Sequence, residues 1–321
     1  MIPSWLEPQI ERLRGAWLRQ RMPHALLIHE SPGSGGEWLG EWAARLVLCE
    51  RREAAPCGAC VSCRRAAQGA HPDLTVVRPA EGSSQIRIEQ VRELSAELAL
   101  TAHQGGYKVG FLTPADSMNR FAANALLKTL EEPPPATLLV LVVTQPSRLP
   151  ATLHSRCQRV TVPAPSRAAS IGWLTATRGS GDWAAVLEVL GEAPMLAQAA
   201  DPEAVAALAA EVRAGLEEAL AGRGDPGATA ERWARAEGPL RLACIERWLT
   251  DRIRAALGAG SEIAEVRAGA HPAVPRQRVD LRGLFALLDA VRELKSSFEA
   301  SINRGLAFES LLRGLAGTRS N

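Results

Sequence analysis

The chain has 321 residues, which is enough for two or three domains with hydrophobic cores of their own. Its hydrophobic content of 46% and charged content of 22% exclude a disordered or fibrous protein. The net charge of +2 gives no electrostatic reason to expect nucleic-acid binding over the whole surface.

The first half of the chain alternates short apolar runs with helical patterns. After a helix predicted within residues 1–20, the predicted strands lie at residues 25–29, 74–77, 108–112, 138–143 and 160–162. Helices are predicted between them at residues 38–48, 88–98 and 122–130. The run 138–143 is apolar throughout, which is typical of a strand buried on both faces of a parallel sheet. This alternation predicts an α/β domain with a parallel sheet over residues 1–165.

After residue 165 the strand signals end, and Ala and Leu dominate the sequence. Helices are predicted at residues 204–220, 233–257 and 284–312, and loops at 222–227 and 258–274. We therefore predict a small helical domain over residues 166–203 and a larger all-α domain over residues 204–321.

A glycine-rich turn follows the first predicted strand, where a nucleotide-binding loop would have the pattern G-x-x-x-x-G-K-[ST]. Gly33 and Gly35 suit such a turn, but Glu30 replaces the first glycine. Gly36 replaces the lysine, and Glu37 replaces the hydroxyl residue that binds Mg²⁺. The lost positive charge and the added carboxylates disfavour a bound triphosphate. We interpret the loop as a structural relic that binds no ATP; an active ATP site and an unrelated turn are the alternatives.

The motif that would hold Mg²⁺ fails as well. The third predicted strand ends in Thr113 and Pro114 instead of acidic residues, and Asp116 lies beyond them, where a turn cap is its simplest interpretation. Neither a metal-binding carboxylate nor a water-activating glutamate follows the strand directly, so we expect no intrinsic ATPase activity.

The expected compartment bears on the six cysteines. The N-terminus lacks a basic segment followed by an apolar one, and no segment approaches the roughly 20 apolar residues of a membrane span. We therefore expect a cytoplasmic protein without a membrane partner. Reducing conditions there favour a metal site or free thiols over disulfides.

Four of the cysteines, Cys49, Cys57, Cys60 and Cys63, have the spacing C-x7-C-x2-C-x2-C. Four thiolates are a common tetrahedral ligand set for structural Zn²⁺, and two-residue gaps let neighbouring thiolates reach one ion. We predict one structural Zn²⁺ per chain. An iron–sulfur cluster and free thiols are the alternatives, and His71 is a candidate substitute ligand.

Two segments resemble the signature of clamp-loader subunits in the AAA+ superfamily. They are LLKTLEEPP at residues 126–134 and Ser155-Arg156-Cys157. The four cysteines resemble those of the bacterial branch, and the loss of both nucleotide motifs points to its member without ATPase activity. The resemblance covers about residues 20–165.

The resemblance implies an N-terminal AAA+ domain, a helical lid at residues 166–203 and a C-terminal collar domain at residues 204–321 that joins subunits together. It implies partners as well: gamma or tau subunits and a delta subunit, in a heteropentamer. That assembly would use ATP to load a sliding clamp on primed DNA. It would belong to the DNA polymerase III holoenzyme, which is a DNA-directed DNA polymerase and therefore a nucleotidyltransferase.

Arg156 carries the most specific prediction from the resemblance, with Ser155 and Cys157 as its motif. In the family this arginine reaches the ATP site of the next subunit, where a guanidinium can stabilise the charge on the transferring phosphoryl group. An exposed arginine, or one paired with a nearby carboxylate, is the alternative. Glu131 and Glu132 are interpreted as a solvated helix end instead of catalytic carboxylates.

Thr144 matches the family's first sensor position and is interpreted as a relic, while Trp38 and Trp42 are expected to pack in the core.

A stand-alone zinc-containing nucleic-acid-binding protein is the alternative function. The near-neutral charge and the aromatic content of 4% disfavour it.

Overall fold

The computed structural model describes residues 1–103, 106–258, 280–297 and 303–318. They form two compact units. The first contains Met1–Arg178 and Ala193–Gln198, and the second contains Gly179–Glu192 and the described residues from Ala199 onward. The predicted division into three domains, at residues 165 and 203, stays a prediction.

The first unit is built on a five-stranded parallel sheet in the order β2-β3-β4-β1-β5. Its strands are β1 (Ala25–His29), β2 (Leu74–Val77), β3 (Lys108–Leu112), β4 (Thr137–Val143) and β5 (Gln158–Thr161). The predicted parallel sheet is confirmed: β1, β2 and β3 have the predicted bounds, and β4 and β5 differ from the predicted bounds by one or two residues. Strand β4 is buried at every position and pairs with β3 on one side and β1 on the other, which explains why its sequence has no polar face.

The helices of the described residues belong to both units. They are α1 (Glu7–Leu18), α2 (Gly36–Leu48), α3 (Val61–Ala67), α4 (Ile88–Ala99), α5 (Arg120–Glu131), α6 (Ala151–His154), α7 (Arg167–Arg178), α8 (Trp183–Leu190), α9 (Pro194–Ala199), α10 (Pro202–Ala221), α11 (Pro226–Ala234), α12 (Gly238–Gly258), α13 (Leu281–Ser297) and α14 (Arg304–Gly317). None of these described helices is long and apolar enough to cross a membrane.

Helix α2 packs closely on the sheet because Gly40 has no side chain. A Cβ atom at Gly40 would lie 2.5 Å from the ring of Phe111 in β3. Trp42 is buried as predicted, with the Arg14 guanidinium 5.8 Å from its ring centroid, whereas Trp38 is only half-buried. The tight contact fixes α2 against the strands that carry the candidate site.

The second unit is all-α in its described residues, as predicted. Its core contains Trp233 and Phe308, whose rings meet edge to face at 5.8 Å. The helix predicted at residues 233–257 is wrong at its start, because α11 ends at Ala234 and α12 begins at Gly238. Two other predicted boundaries were wrong. Helix α11 begins inside the predicted loop 222–227, because Pro226 suits a first helical turn and Asp225 caps it by accepting a hydrogen bond from Gly227 N.

The second wrong boundary concerns the helix predicted at residues 284–312. The structure has two helices there, because α13 ends at Ser297 and α14 begins at Arg304 after the cap residue Asn303. The Asn303 side chain accepts a hydrogen bond from Leu306 N at 3.2 Å. Most of the loop predicted at residues 258–274 lies outside the described residues.

Candidate functional site

The four predicted metal ligands lie together. The Sγ atoms of Cys49, Cys57, Cys60 and Cys63 all lie within 4.8 Å of one another, and those of Cys49 and Cys60 are 4.0 Å apart. Four sulfurs at about 2.3 Å from one Zn²⁺ would be about 3.8 Å apart. The cluster therefore has the size of a tetrahedral metal site, and its donor set fits zinc.

The local backbone explains how the cysteines converge. Cys49 follows the last residue of α2, and Cys60 caps α3 by accepting a hydrogen bond from Cys63 N at 3.3 Å. Gly58, with φ of +69°, makes the tight turn between Cys57 and Cys60. Cys57 N donates to the Cys49 sulfur at 3.4 Å, and Cys60 N donates to the Cys57 sulfur at 3.4 Å. These N–H groups favour thiolates, which are the metal-binding form.

The thiols of the cluster differ in acidity. Hydrogen bonds from the backbone N–H groups of Ala59 and Cys60 lower the pKa of Cys57 to about 6. Burial raises the pKa of Cys49 and of Cys63. Because a metal binds thiolates, binding has to displace protons from these buried thiols.

His71 is not a member of the cysteine cluster and braces it instead. Asp73 N donates to His71 Nδ1 at 3.0 Å, so the proton of the neutral ring lies on Nε2. His71 Nε2 then donates to Ser62 Oγ at 2.7 Å, and the Ser62 hydroxyl donates to the carbonyl of Leu48. Burial lowers the pKa of His71, which favours this neutral form. The spacing of residues in the sequence did not predict these hydrogen bonds, which connect His71 and α3 with the end of α2.

The degenerate nucleotide loop lies at the carboxyl edge of the sheet. Strands β1, β3 and β4 are neighbours in the sheet and parallel, so the residues that follow them lie side by side. The glycine-rich loop follows β1, Thr113 follows β3 and Thr144 follows β4. Parallel α/β sheets bind ligands at this edge.

The loop binds one of its own carboxylates. Glu30 is buried, and its Oε2 accepts hydrogen bonds from Gly35 N at 2.9 Å and Gly36 N at 2.6 Å. Burial raises the pKa of Glu30, and the N–H groups of Gly36 and Gly35 oppose that shift. Glu37 points elsewhere: it forms an ion pair with Arg78 and accepts from Thr113 Oγ1 at 3.5 Å. The residues expected to repel a ligand are thus engaged within the chain.

Asp116 does not cap a turn, so its sequence-based interpretation was wrong. The buried side chain accepts hydrogen bonds from Thr144 Oγ1 at 3.1 Å and Gln145 N at 2.8 Å. These bonds connect the segment after β3 with the segment after β4. At the sensor position, Thr144 holds the sheet edge together.

Arg156 lies at the surface and pairs with the other signature segment. Its guanidinium contacts Glu131 Oε1 at 2.7 Å and donates to the Thr152 carbonyl at 3.0 Å and to Ser155 Oγ at 3.3 Å. The Arg156 side chain is 35% exposed and that of Glu131 is 50% exposed. Cys157 is partly buried against the core. In the single chain Arg156 is therefore paired with a carboxylate but remains accessible to solvent.

Comparisons with known proteins identify the family. A family model described as "DNA polymerase III, delta subunit" matches residues 5–166. DNA polymerase III subunit delta' of Pseudomonas aeruginosa is 36% identical over 97% of this chain and 96% of its own length. Its counterpart in Escherichia coli K12 is 38% identical over 53% of this chain and 52% of its own length.

A solved structure supports the fold. A DNA polymerase III gamma subunit-related protein from Thermotoga maritima matches with a TM-score of 0.56 and 17% identity, covering 97% of this chain and 100% of the other. At that identity the match speaks for the fold alone. With a family model over half of the chain and a relative matched almost end to end, the chain belongs to the family of DNA polymerase III delta-prime subunits.

Proposed function

We propose that this chain is the non-ATPase subunit of a bacterial clamp loader, helping to load the sliding clamp on primed DNA. Its partners would be gamma or tau subunits and a delta subunit in a heteropentamer, in the cytoplasm. The observation that carries the proposal is a contrast within the first unit: the loop's N–H groups bind the Glu30 carboxylate, while Arg156 stays accessible.

In this proposal Arg156 completes the ATP site of a neighbouring subunit. A guanidinium keeps its charge at any physiological pH and can bind phosphate oxygens in a fork geometry. Its contact with Glu131 is between half-exposed groups and is worth about 1 kcal/mol or less, so a neighbour's phosphates can displace it. Ser155 and the Thr152 carbonyl orient the side chain before docking.

The cysteine cluster would hold one Zn²⁺ as a structural ion. All four coordination positions would be filled by Cys49, Cys57, Cys60 and Cys63, which leaves no place for a substrate or a reactive water. The ion's contribution would be to fix the segment between α2 and α3.

The test is ATP hydrolysis by the reconstituted assembly that contains Arg156→Ala. We expect the variant chain to keep its Tm and to assemble, and turnover at the neighbouring site to fall by at least about 10³-fold. The total ATPase rate of the assembly should therefore fall by the fraction that this one site contributes. Arg159→Ala, an exposed arginine in β5, is the matched control and should leave turnover unchanged. Equal turnover for the Arg156 variant and the control would contradict the proposed role.

A second measurement tests the assembly itself. A tagged form of this chain should co-purify with gamma or tau and delta subunits from the cells that produce it. Recovery of the chain without any of these partners, under conditions where they are present in the lysate, would count against the clamp-loader role.

A further inference from the structure

We propose that the Glu30 carboxylate is a built-in substitute for the phosphate of a nucleotide, and that position 36 is a glycine because the Glu30 side chain fills the space that a side chain there would need. The inference deepens the part of the proposed function that denies this subunit a nucleotide. It concerns the isolated chain, so its failure would leave the role of Arg156 untouched.

The first argument is the geometry of the anion site. The N-terminus of α2 presents unpaired backbone N–H groups and a partial positive charge, and in nucleotide-binding loops phosphate occupies this place. Here Gly35 has φ of +108°, a left-handed conformation that turns the chain into the helix. Gly35 N and Gly36 N converge on Oε2 of Glu30 at 2.9 and 2.6 Å. A single carboxylate oxygen thus takes two of the hydrogen bonds that a phosphate would accept.

The second argument is the path of the Glu30 side chain. Glu30 N donates to the Val143 carbonyl at 3.0 Å, so the residue continues the pairing of β1 with β4. From this fixed backbone the side chain folds back under the loop, and only 8% of the residue is exposed. Burying a carboxylate is costly unless it is hydrogen-bonded, and the loop's N–H groups compensate for that cost.

The third argument is steric and links two departures from the nucleotide-binding pattern. A Cβ atom at Gly36 would lie 2.8 Å from Cδ and 2.9 Å from Cβ and Cγ of Glu30. Cβ atoms essentially never make non-bonded contacts this short, so a side chain at position 36 would require Glu30 to move. The lysine of an active loop and the glutamate at position 30 therefore exclude each other.

The loop is also covered from outside. Trp5 Nε1 donates to the Ser34 carbonyl at 2.7 Å, and Met195 N, in α9, donates to the Gly33 carbonyl at 3.0 Å. This cover leaves little room for a nucleoside, so the test uses a small anion that can replace the carboxylate alone.

The first experiment is anion rescue of Glu30→Ala, followed by thermal unfolding of the isolated chain. Without its internal anion the variant should lose roughly 4–8 °C in Tm. Inorganic phosphate should restore part of this loss, compared with sodium chloride at equal ionic strength. Glu41→Ala, which removes an exposed glutamate of α2, is the matched control. A response to phosphate no larger than that of the control would overturn the proposal.

The second experiment is a double-mutant cycle between positions 30 and 36. Gly36→Ala should lower Tm in the wild-type chain and in Glu30→Gln, where an amide fills the same space. In Glu30→Gly, which removes all three atoms that a Cβ at position 36 would meet, the same change should be neutral or stabilising, because alanine is the better helix former. Glu30→Gln should fold and should not respond to phosphate. Additive effects of Glu30→Gly and Gly36→Ala would refute the steric link, even if poor folding of Glu30→Ala prevented the phosphate experiment.

Discussion

The two ends of helix α2 differ in where their ligand comes from. At the N-terminal end, Gly35 and Gly36 bind a carboxylate that the chain itself supplies through Glu30. At the C-terminal end, Cys49 joins three other cysteines in a cluster whose thiolates would repel one another without a cation. The first site is complete in the isolated chain, whereas the second, in the proposed function, would take an ion from solution.

This difference shows two ways in which a ligand site can serve a fold. A site that has lost its function as a binding site can keep its geometry when an internal group takes the ligand's place. A structural metal site cannot be replaced so simply, because a cation is what allows four anionic ligands to lie together. Removal of small ligands should therefore destabilise the C-terminal end of α2 and leave the N-terminal end unchanged.

The largest effect should come from loss of the metal ligands. Cys63→Ser, or treatment with a strong chelator, should destabilise the first unit by about 3 kcal/mol or more and open the segment between α2 and α3 to proteases. Elemental analysis should find about one zinc per wild-type chain and none in the variant. Cys157→Ser, outside the cluster, is the control and should retain the metal. Wild-type protein that carries no zinc and resists the chelator would remove the contrast between the ends.

Acidification should weaken metal binding at the C-terminal end of α2. Burial raises the pKa of Cys49 and Cys63, so Zn²⁺ must displace protons from these thiols at neutral pH. If two protons are released, zinc affinity should fall about 100-fold per unit decrease in pH. Competition with a metal-binding dye across pH 6–8 measures this slope. An affinity independent of pH would show that the ligands are already thiolates.

A medium effect should follow loss of the brace behind the metal site. His71→Ala removes the donor to Ser62 Oγ and should cost about 1–3 kcal/mol, because the buried hydroxyl loses a partner. We expect zinc to remain bound but to pass to a chelator faster than in wild type. His103→Ala, whose side chain is largely exposed, should match wild type in both measurements. An unchanged rate in the His71 variant would separate the brace from the metal site.

The smallest effect should be at Glu37. Its ion pair with Arg78 joins side chains that are 39% and 49% exposed, so Glu37→Ala should cost about 1 kcal/mol or less in chemical denaturation. Glu30→Ala should cost clearly more, because it removes a buried carboxylate that accepts two backbone hydrogen bonds. A larger decrease in the free energy of unfolding for Glu37→Ala than for Glu30→Ala would show that Glu37, and not Glu30, is the carboxylate that stabilises the loop.

The elements of the first unit followed from local patterns. Strand β4 is a continuous apolar run with a strand on each side, and the glycines before α2 mark a turn between a strand and a helix. The cysteine spacing also was sufficient for a metal prediction, since three of the four ligands lie within one short turn and the start of α3. Helix boundaries in the second unit were harder to predict, because its sequence is rich in Ala and Leu throughout. The helix α14, for example, begins after the cap residue Asn303, inside a segment that was predicted as one helix.

The polar partners of the candidate site could not be read from spacing. Glu30 reaches Gly36 within the loop because β1 fixes its backbone, Asp116 meets Thr144 because β3 and β4 are neighbours, and Arg156 meets Glu131 at the surface. Hydrophobic periodicity and motif spacing are local properties, and they specify secondary structure and short-range ligand sets. Side-chain pairing depends on strand order and on close packing, which exist only once the sheet has formed. That dependence is why the chain's lack of a nucleotide motif was evident from residue types, whereas the carboxylate that occupies the loop emerged from the folded chain.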